Sequence, residues 1–139
     1  ERASWSLERF QVTSGSDAIA TATVVIKDQD HQQQMDAATG DGPIDAVYSA
    51  IQRITGVEVT LEDYQCRGVT GGKDAQGEAS VRGTYGGRDV HGRGFSTDVV
   101  EAAAQALLGA MNRIRNTEQR EQRVDSDADA LQTEEATQP

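Results

Sequence analysis

Residues 39–48 read TGDGPIDAVY and join a strand-like run to a helix. Gly40 and Gly42 have the spacing of glycines that allow a tight turn and a close approach of the backbone to another group. Pro43 fits the first helical position, which makes Gly42 the expected N-cap. Asp45 then lies at the third helical position, where its carboxylate favours the positive end of the helix. The stretch predicts a strand, a glycine loop and a helix whose free N–H groups face a cavity.

The residues on either side of this loop predict a complete β-β-β-α unit. An apolar stripe at helical spacing follows the loop, at Ile44, Val47, Tyr48, Ile51 and Ile54. Gly56 suits the C-terminal cap of that helix. Upstream, residues 5–12, 18–27 and 32–38 read as three strands, with a hairpin tip at residues 28–31. A change of parity between Leu7 and Phe10 predicts a β-bulge in the first strand.

The same pattern starts again after Gly56. LEDYQ at 61–65 corresponds to LERFQ at 7–11, and Asp74-Ala75 corresponds to Asp17-Ala18. The GRG at 92–94 is interpreted as a copy of the GDG at 40–42. A second helix is predicted from Asp98 to about Ile114, with Asp98 and Glu101 spaced as a capping box. We therefore expect an α+β domain of two pseudo-symmetric β-β-β-α units, at about 5–56 and 57–115, with helices packed on antiparallel sheets.

Composition limits the class of protein. The apolar share of 36% and the aromatic share of 4% are thin for a lone monomer, so a dimer is expected. The net charge of −10 argues against partners such as nucleic acid and anionic membranes. No apolar run reaches the ~20 residues of a membrane span, and no signal peptide is visible.

The ends of the chain and its single cysteine add three expectations. Cys66 reads as a buried small hydrophobe in a reducing compartment, so a cytoplasmic location is expected. The chain begins at Glu1 rather than Met, which suggests a piece of a longer polypeptide. Residues 116–139 carry seven acids and two bases, hence −5 of the net charge, and are expected to form an acidic disordered tail.

Residue chemistry favours binding over catalysis. His31 and His91 have no ligand partners at metal-site spacing, so no metal, cofactor or catalytic residue is expected. The two helix starts are better candidates, because free N–H groups and a positive dipole suit a carboxylate. An aspartate at each start could hold an ammonium group, and an apolar wall is predicted from Ile44, Tyr48, Val69, Ala75 and Phe95. A zwitterion with an aliphatic side chain would fit. Alternatively, the glycines serve only as turns and the aspartates only as caps.

A set of motifs in a fixed order resembles a known family. These motifs are GDGPIDA at 40–46, GVEV at 56–59, LEDY at 61–64, DAQG at 74–77, and GRG followed by Ser96-Thr97-Asp98. Over about residues 5–113 the chain resembles the C-terminal regulatory domain of 2-isopropylmalate synthase. The resemblance implies a dimerising domain that binds leucine as the feedback inhibitor of leucine biosynthesis. It also implies a catalytic TIM barrel in the same polypeptide, an acyltransferase whose divalent metal and His-x-His ligands are absent from this chain.

The resemblance also implies a set of effector contacts between the two units. They are Gly40, Gly42, Ile44, Asp45, Tyr64, Ala75, Gly94, Phe95, Thr97 and Asp98. Phe95 stands where a smaller aliphatic residue is expected, which bears on the shape of the pocket. Two alternatives remain open: an isoleucine-sensing domain of a citramalate synthase, and a purely structural dimerisation module.

Overall fold

A computed structural model describes residues 4–68 and 76–137, with side chains as far as residue 128. The chain folds as two consecutive β-β-β-α units, as the sequence predicts. The elements in chain order are β1 (Ser6–Gly15), β2 (Ala18–Lys27), β3 (Gln33–Gly40), α1 (Pro43–Thr55), β4 (Thr60–Gly68), β5 (Gly77–Tyr85), β6 (Arg88–Ser96) and α2 (Val99–Thr137).

Each unit contains one antiparallel three-stranded sheet in which the strands follow chain order. The predicted irregularity in β1 is confirmed, because the register shifts between Leu7 and Arg9. The corresponding shift in β4 lies between Leu61 and Asp63. These shifts place Phe10 opposite Val24 and Tyr64 opposite Val81, so Phe10 and Tyr64 occupy corresponding positions.

The core lies where the two helices meet each other and their sheets. Strand β2 turns alternate side chains inward (Ala20, Ala22, Val24 and Ile26), and all four are buried. Small side chains allow α2 to be buried on most of its circumference as far as Ile114. The backbone of Trp5 joins the first unit to α2, because its N–H donates to Asn112 Oδ1 at 2.8 Å and its carbonyl accepts from Asn112 Nδ2 at 3.1 Å. In the described part of the chain, no helix combines the length and apolar character needed to cross a bilayer.

The second helix is longer than the sequence reasoning predicts. It runs on to Thr137, through residues expected to be disordered. Residues 116–137 are rich in Ala, Glu, Gln and Arg, which favour a helix without burial. An Arg88–Glu121 ion pair also ties this segment to the β5–β6 hairpin. The lack of an apolar stripe predicted a disordered tail; residues 120–128 are exposed, but they are helical.

The interpretation of residues 92–94 as a second glycine loop is wrong. Gly92 and Gly94 lie inside β6, beneath α2, and not in the connection that precedes it. A Cβ on Gly92 would collide with the carbonyl oxygen of Ala106, and one on Gly94 with that of Ala102. These glycines are needed because the helix backbone approaches the strand closely.

Candidate functional site: the start of the first helix

The start of α1 is left open by its own side chains. Gly42 is the N-cap, as predicted, and its carbonyl accepts the first helical bond from the Ala46 N–H at 3.0 Å. Among the described residues no side chain caps this end, and Pro43 follows at the first helical position. A Cβ added to Gly42 would meet none of the atoms of the described residues within 4 Å. The helix end therefore has room beside it and a positive dipole end.

The other glycine of the loop is closely packed. A Cβ on Gly40 would lie 2.5 Å from the Ala46 nitrogen and 2.6 Å from Asp45 Oδ2. The same Asp45 oxygen accepts a hydrogen bond from the Asp41 N–H at 2.8 Å. Gly40 and Asp45 therefore shape and hold the loop, while Gly42 borders open space.

The start of α2 is closed by side chains. Asp98 Oδ1 accepts from the N–H groups of Val100 at 2.8 Å and Glu101 at 3.3 Å, so the Asp98 half of the predicted capping box is confirmed. The reciprocal bond differs from the prediction, because the Asp98 N–H donates to Ser96 Oγ and not to the Glu101 side chain. Ser96 Oγ donates to Glu101 Oε2 at 2.8 Å and accepts from the Asp98 N–H at 3.1 Å. The N–H groups of this helix start are thus largely satisfied within the chain.

Two aromatic rings connect α1 to the second unit. Tyr48 of α1 meets Tyr64 of β4 edge-on, with ring centroids 6.3 Å apart and an interplanar angle of 81°. The Tyr64 hydroxyl lies 2.6 Å from Cys66 Sγ. Cys66 is exposed, so the prediction that it is buried is wrong. Ile44 and Tyr64 both pack on the edge of the core.

The Tyr48 hydroxyl is the unusual group at this junction. Tyr48 is only 4% exposed, and its buried hydroxyl has no hydrogen-bond partner among the described residues. An unpaired buried hydroxyl costs about 1–3 kcal/mol of stability. Burial, with Tyr64 and Cys66 adding to it, also raises the pKa of Tyr48 well above its ordinary value of 10. Helical periodicity placed Tyr48 in the apolar stripe, but periodicity does not tell which hydroxyls find partners.

The predicted contact residues fall into two groups. Gly40, Gly42, Ile44 and Asp45 surround the start of α1, and Tyr64 joins them through Tyr48. Gly94, Phe95, Thr97 and Asp98 lie before or at the start of α2. Gly94 is covered by that helix, whereas Phe95 is 47% exposed. The Phe95 N–H donates to Gln105 Oε1 at 3.2 Å. Ala75, and Val69 of the predicted wall, lie outside the described residues.

Other polar features lie away from both helix starts. Glu78 on β5 is buried, and it pairs with Arg67 at 3.0 Å and Arg93 at 3.5 Å across the neighbouring strands. Sequence reasoning missed this cluster, because it becomes visible only when the strand register is known. A cavity of about 420 Å³ lies between the β5–β6 hairpin and α2, and it shares no lining residue with the predicted contact set. Within the described ranges, no three His, Cys, Asp or Glu side chains come together as metal ligands.

The fold is that of two repeated β-β-β-α units, and comparison with known proteins assigns it to a family. Residues 1–115 match the model of the LeuA allosteric (dimerisation) domain. The chain therefore belongs to the LeuA allosteric (dimerisation) domain family.

Similar proteins include several named 2-isopropylmalate synthase. One from Carboxydothermus hydrogenoformans is 47% identical over 112 residues, which cover 79% of this chain and 22% of that protein. One from Erwinia tasmaniensis is 45% identical over 118 residues, covering 85% and 22%. One from Ruminiclostridium cellulolyticum is 43% identical over 107 residues, covering 77% and 21%. The chain spans about a fifth of the length of these curated relatives.

Proposed function

We propose that this chain is the leucine-binding, dimerising regulatory domain of a 2-isopropylmalate synthase, and that leucine binds beside the start of α1. The observation that carries the proposal is the open N-cap at Gly42, in a chain that belongs to an allosteric domain family. A helix end that no side chain caps has N–H groups to offer a carboxylate.

The chemistry around α1 suits each part of leucine. The carboxylate would accept from N–H groups in the first turn, at Ile44 and Asp45. The ammonium would meet the exposed carboxylate of Asp45, which already uses Oδ2 to hold the loop. The isobutyl group would pack on Ile44 and Tyr64, which lie half-buried at the edge of the core. The binding free energies of leucine and isoleucine would differ by only about 1 kcal/mol in such a pocket, so the two affinities have to be measured side by side.

Feedback inhibition would follow from a difference in leucine affinity between two arrangements of the whole enzyme. A coupling on the order of 1–3 kcal/mol is typical of such regulation. The barrel that condenses acetyl-CoA with 2-oxoisovalerate would lie elsewhere in the same polypeptide and would carry the divalent metal. This chain would supply the sensor.

The sheet of the first unit supports the dimerising part of the proposal. Met35 lies on its outer face, opposite the helix, where it pairs with Val25, which is itself buried. Ile19 lies on the same face, and Ile19 and Met35 are 73% and 68% exposed. Large apolar side chains on an open face favour contact with another protein surface. Light scattering on the 139-residue chain is expected to give the mass of a dimer, and a monomer at micromolar concentration would contradict this part.

Calorimetric titration of leucine and isoleucine into the 139-residue chain tests the binding proposal. We expect saturable binding with leucine tighter than isoleucine, and a melting temperature that rises with leucine concentration. D-Leucine is the matched control, because it has the same groups in the wrong arrangement. Tighter binding of isoleucine would favour the citramalate synthase alternative. No heat and no change in melting temperature with either ligand at millimolar concentration would reject the sensor function.

A further inference from the structure

The side chain that this inference concerns is Tyr48, the sixth residue of α1. It is nearly fully buried, and its ring packs edge-on against Tyr64 of the second unit. A phenylalanine would supply the same ring contact and the same apolar area. The hydroxyl therefore adds nothing to this packing, and leaving it buried and unpaired lowers the stability of the free domain.

Tyr64 differs from Tyr48 in this respect. The Tyr64 hydroxyl pairs with Cys66 Sγ at 2.6 Å, whereas the Tyr48 hydroxyl has no partner in the described part of the chain. Both rings lie at the same junction between the units. The junction thus contains one satisfied hydroxyl and one whose hydrogen-bonding capacity is unused.

The position of Tyr48 on α1 determines the direction in which its hydroxyl points. Helical side chains lean toward the N-terminus of their helix, so Tyr48 extends toward the turn that contains Ile44, one turn earlier. That turn follows Gly42, beside which a Cβ would meet nothing within 4 Å. This general geometry of helical side chains directs the hydroxyl toward the same end of α1 as the uncapped N–H groups.

We propose that the Tyr48 hydroxyl is a contact for the amino-acid effector, and that it donates a hydrogen bond to the effector carboxylate. This inference rests on the proposed function and adds a residue to its site. A phenol is a donor that suits a carboxylate, and the bond would satisfy a hydroxyl that has no partner among the described residues. Tyr48 would then favour ligands with a carboxylate over the corresponding alcohols.

The test compares the wild-type chain with Tyr48→Phe in calorimetric titrations of leucine and of leucinol, which lacks the carboxylate. For leucine, we expect the Kd of Tyr48→Phe to be at least tenfold weaker than that of the wild type. The preference for leucine over leucinol is expected to shrink by a similar factor. Circular dichroism should give the variant the wild-type helix content, with an equal or higher melting temperature in the absence of ligand. Tyr85→Phe, at the end of β5, is the matched control and should leave the leucine Kd within twofold.

The possible failures are distinguishable. If leucine binds the wild type and Tyr48→Phe equally, the inference is overturned and the proposed function stands. If Tyr48→Phe weakens leucine and leucinol by the same factor, the hydroxyl acts through packing and not through the carboxylate, which also overturns the inference. If leucine does not bind the wild-type chain at all, the proposed function itself fails.

Discussion

The two units share one fold but differ at the start of their helices. Gly42 and Asp98 are corresponding N-caps, since each carbonyl accepts the bond from the fourth residue beyond it. Asp98 and Ser96 close the start of α2 with side-chain hydrogen bonds. No side chain in the described part of the chain caps α1. A repeat that needed only to fold would benefit from a cap at both places, because a capping side chain typically contributes ~1 kcal/mol.

The contacts that each helix makes with the other unit also differ in polarity. Tyr48 and Ala104 are corresponding helix positions, and Tyr64 and Phe10 are corresponding strand positions. The positions on α1 and β4 therefore carry two tyrosines, whereas the corresponding positions on α2 and β1 carry alanine and phenylalanine. Among the described residues, the Tyr48 hydroxyl has no hydrogen-bond partner, whereas Asp98 and Ser96 hold the start of α2 with side-chain hydrogen bonds. The comparison supports the proposal that the effector binds at the first unit.

The largest expected effect concerns the glycines beneath α2. In Gly94→Ala, the new methyl group would collide with backbone atoms of Ala102 and Ala106. We expect the free energy of unfolding to fall by about 3 kcal/mol or more in chemical denaturation. Gly109→Ala is the matched control, because its Cβ would meet only the Arg93 carbonyl oxygen, at 3.8 Å. That substitution should raise stability by about 0.5–1 kcal/mol, since alanine suits a helix better than glycine. Equal stability of the two variants would contradict the close packing.

The two glycines of the α1 loop should behave differently from each other. Gly40→Ala places a methyl group against the Ala46 nitrogen and should cost about 1–3 kcal/mol. Gly42→Val enters open space with an extended backbone (φ −154°), and should cost about 1 kcal/mol as a poorer N-cap. We expect Gly42→Val to abolish leucine binding while circular dichroism keeps its wild-type signal. Wild-type affinity in Gly42→Val would mean that the open space is not the site.

The buried Tyr48 predicts a pH dependence at high pH. Its raised pKa means that the folded state keeps a proton that an unfolded tyrosine releases near pH 10. Below pH 10 the Tyr48 phenol is protonated in both the folded and the unfolded state, and the free energy of unfolding keeps its full value. As the pH rises from 10 toward the folded pKa, that free energy falls. Between pH 10 and 11, Tyr48 should lower the free energy of unfolding by up to about 1.4 kcal/mol. Denaturation of Tyr48→Phe over the same range should show a shallower decline, and an unchanged slope would contradict the burial of the phenol.

The smallest expected effect is loss of the cap on α2. Asp98→Ala removes the acceptor for two N–H groups and should cost ~1 kcal/mol of stability. Asp98→Asn should retain most of that stability, because asparagine is also a good N-cap. If the comparison between the units is right, Asp98→Ala will weaken leucine binding less than Gly42→Val does. The reverse order would place recognition at α2.

Much of the fold could be predicted from sequence, because it depends on local patterns. Local patterns predicted the three strands of the first unit, and the internal repeat predicted a second such unit. The parity changes before Phe10 and Tyr64 predicted both bulges, and Pro43 with Gly42 predicted the start of α1. The second glycine pair was misread because a glycine can serve a loop or a close helix–strand approach. Only the strand register distinguishes these two uses.

The remaining features depend on tertiary structure. Residues 116–137 have no apolar stripe, so the sequence predicted disorder. Their helix-forming composition nevertheless continues α2 to Thr137. The Glu78 cluster needs partners from three strands. Tyr48 has the spacing of a core residue and occupies a core position, yet its unpaired hydroxyl emerges only from the surrounding contacts.

The most direct measurement of the central claim is a leucine titration of the 15N-labelled 139-residue chain followed by amide chemical shifts. Recognition by the first unit predicts the largest saturable shifts at the amides of residues 41, 42, 44 and 45 and of Tyr48, since Pro43 has no amide proton. The amides of Val100 and Glu101, already bonded to Asp98, should move little. Largest shifts at the start of α2, with residues 41–45 unchanged, would contradict the account.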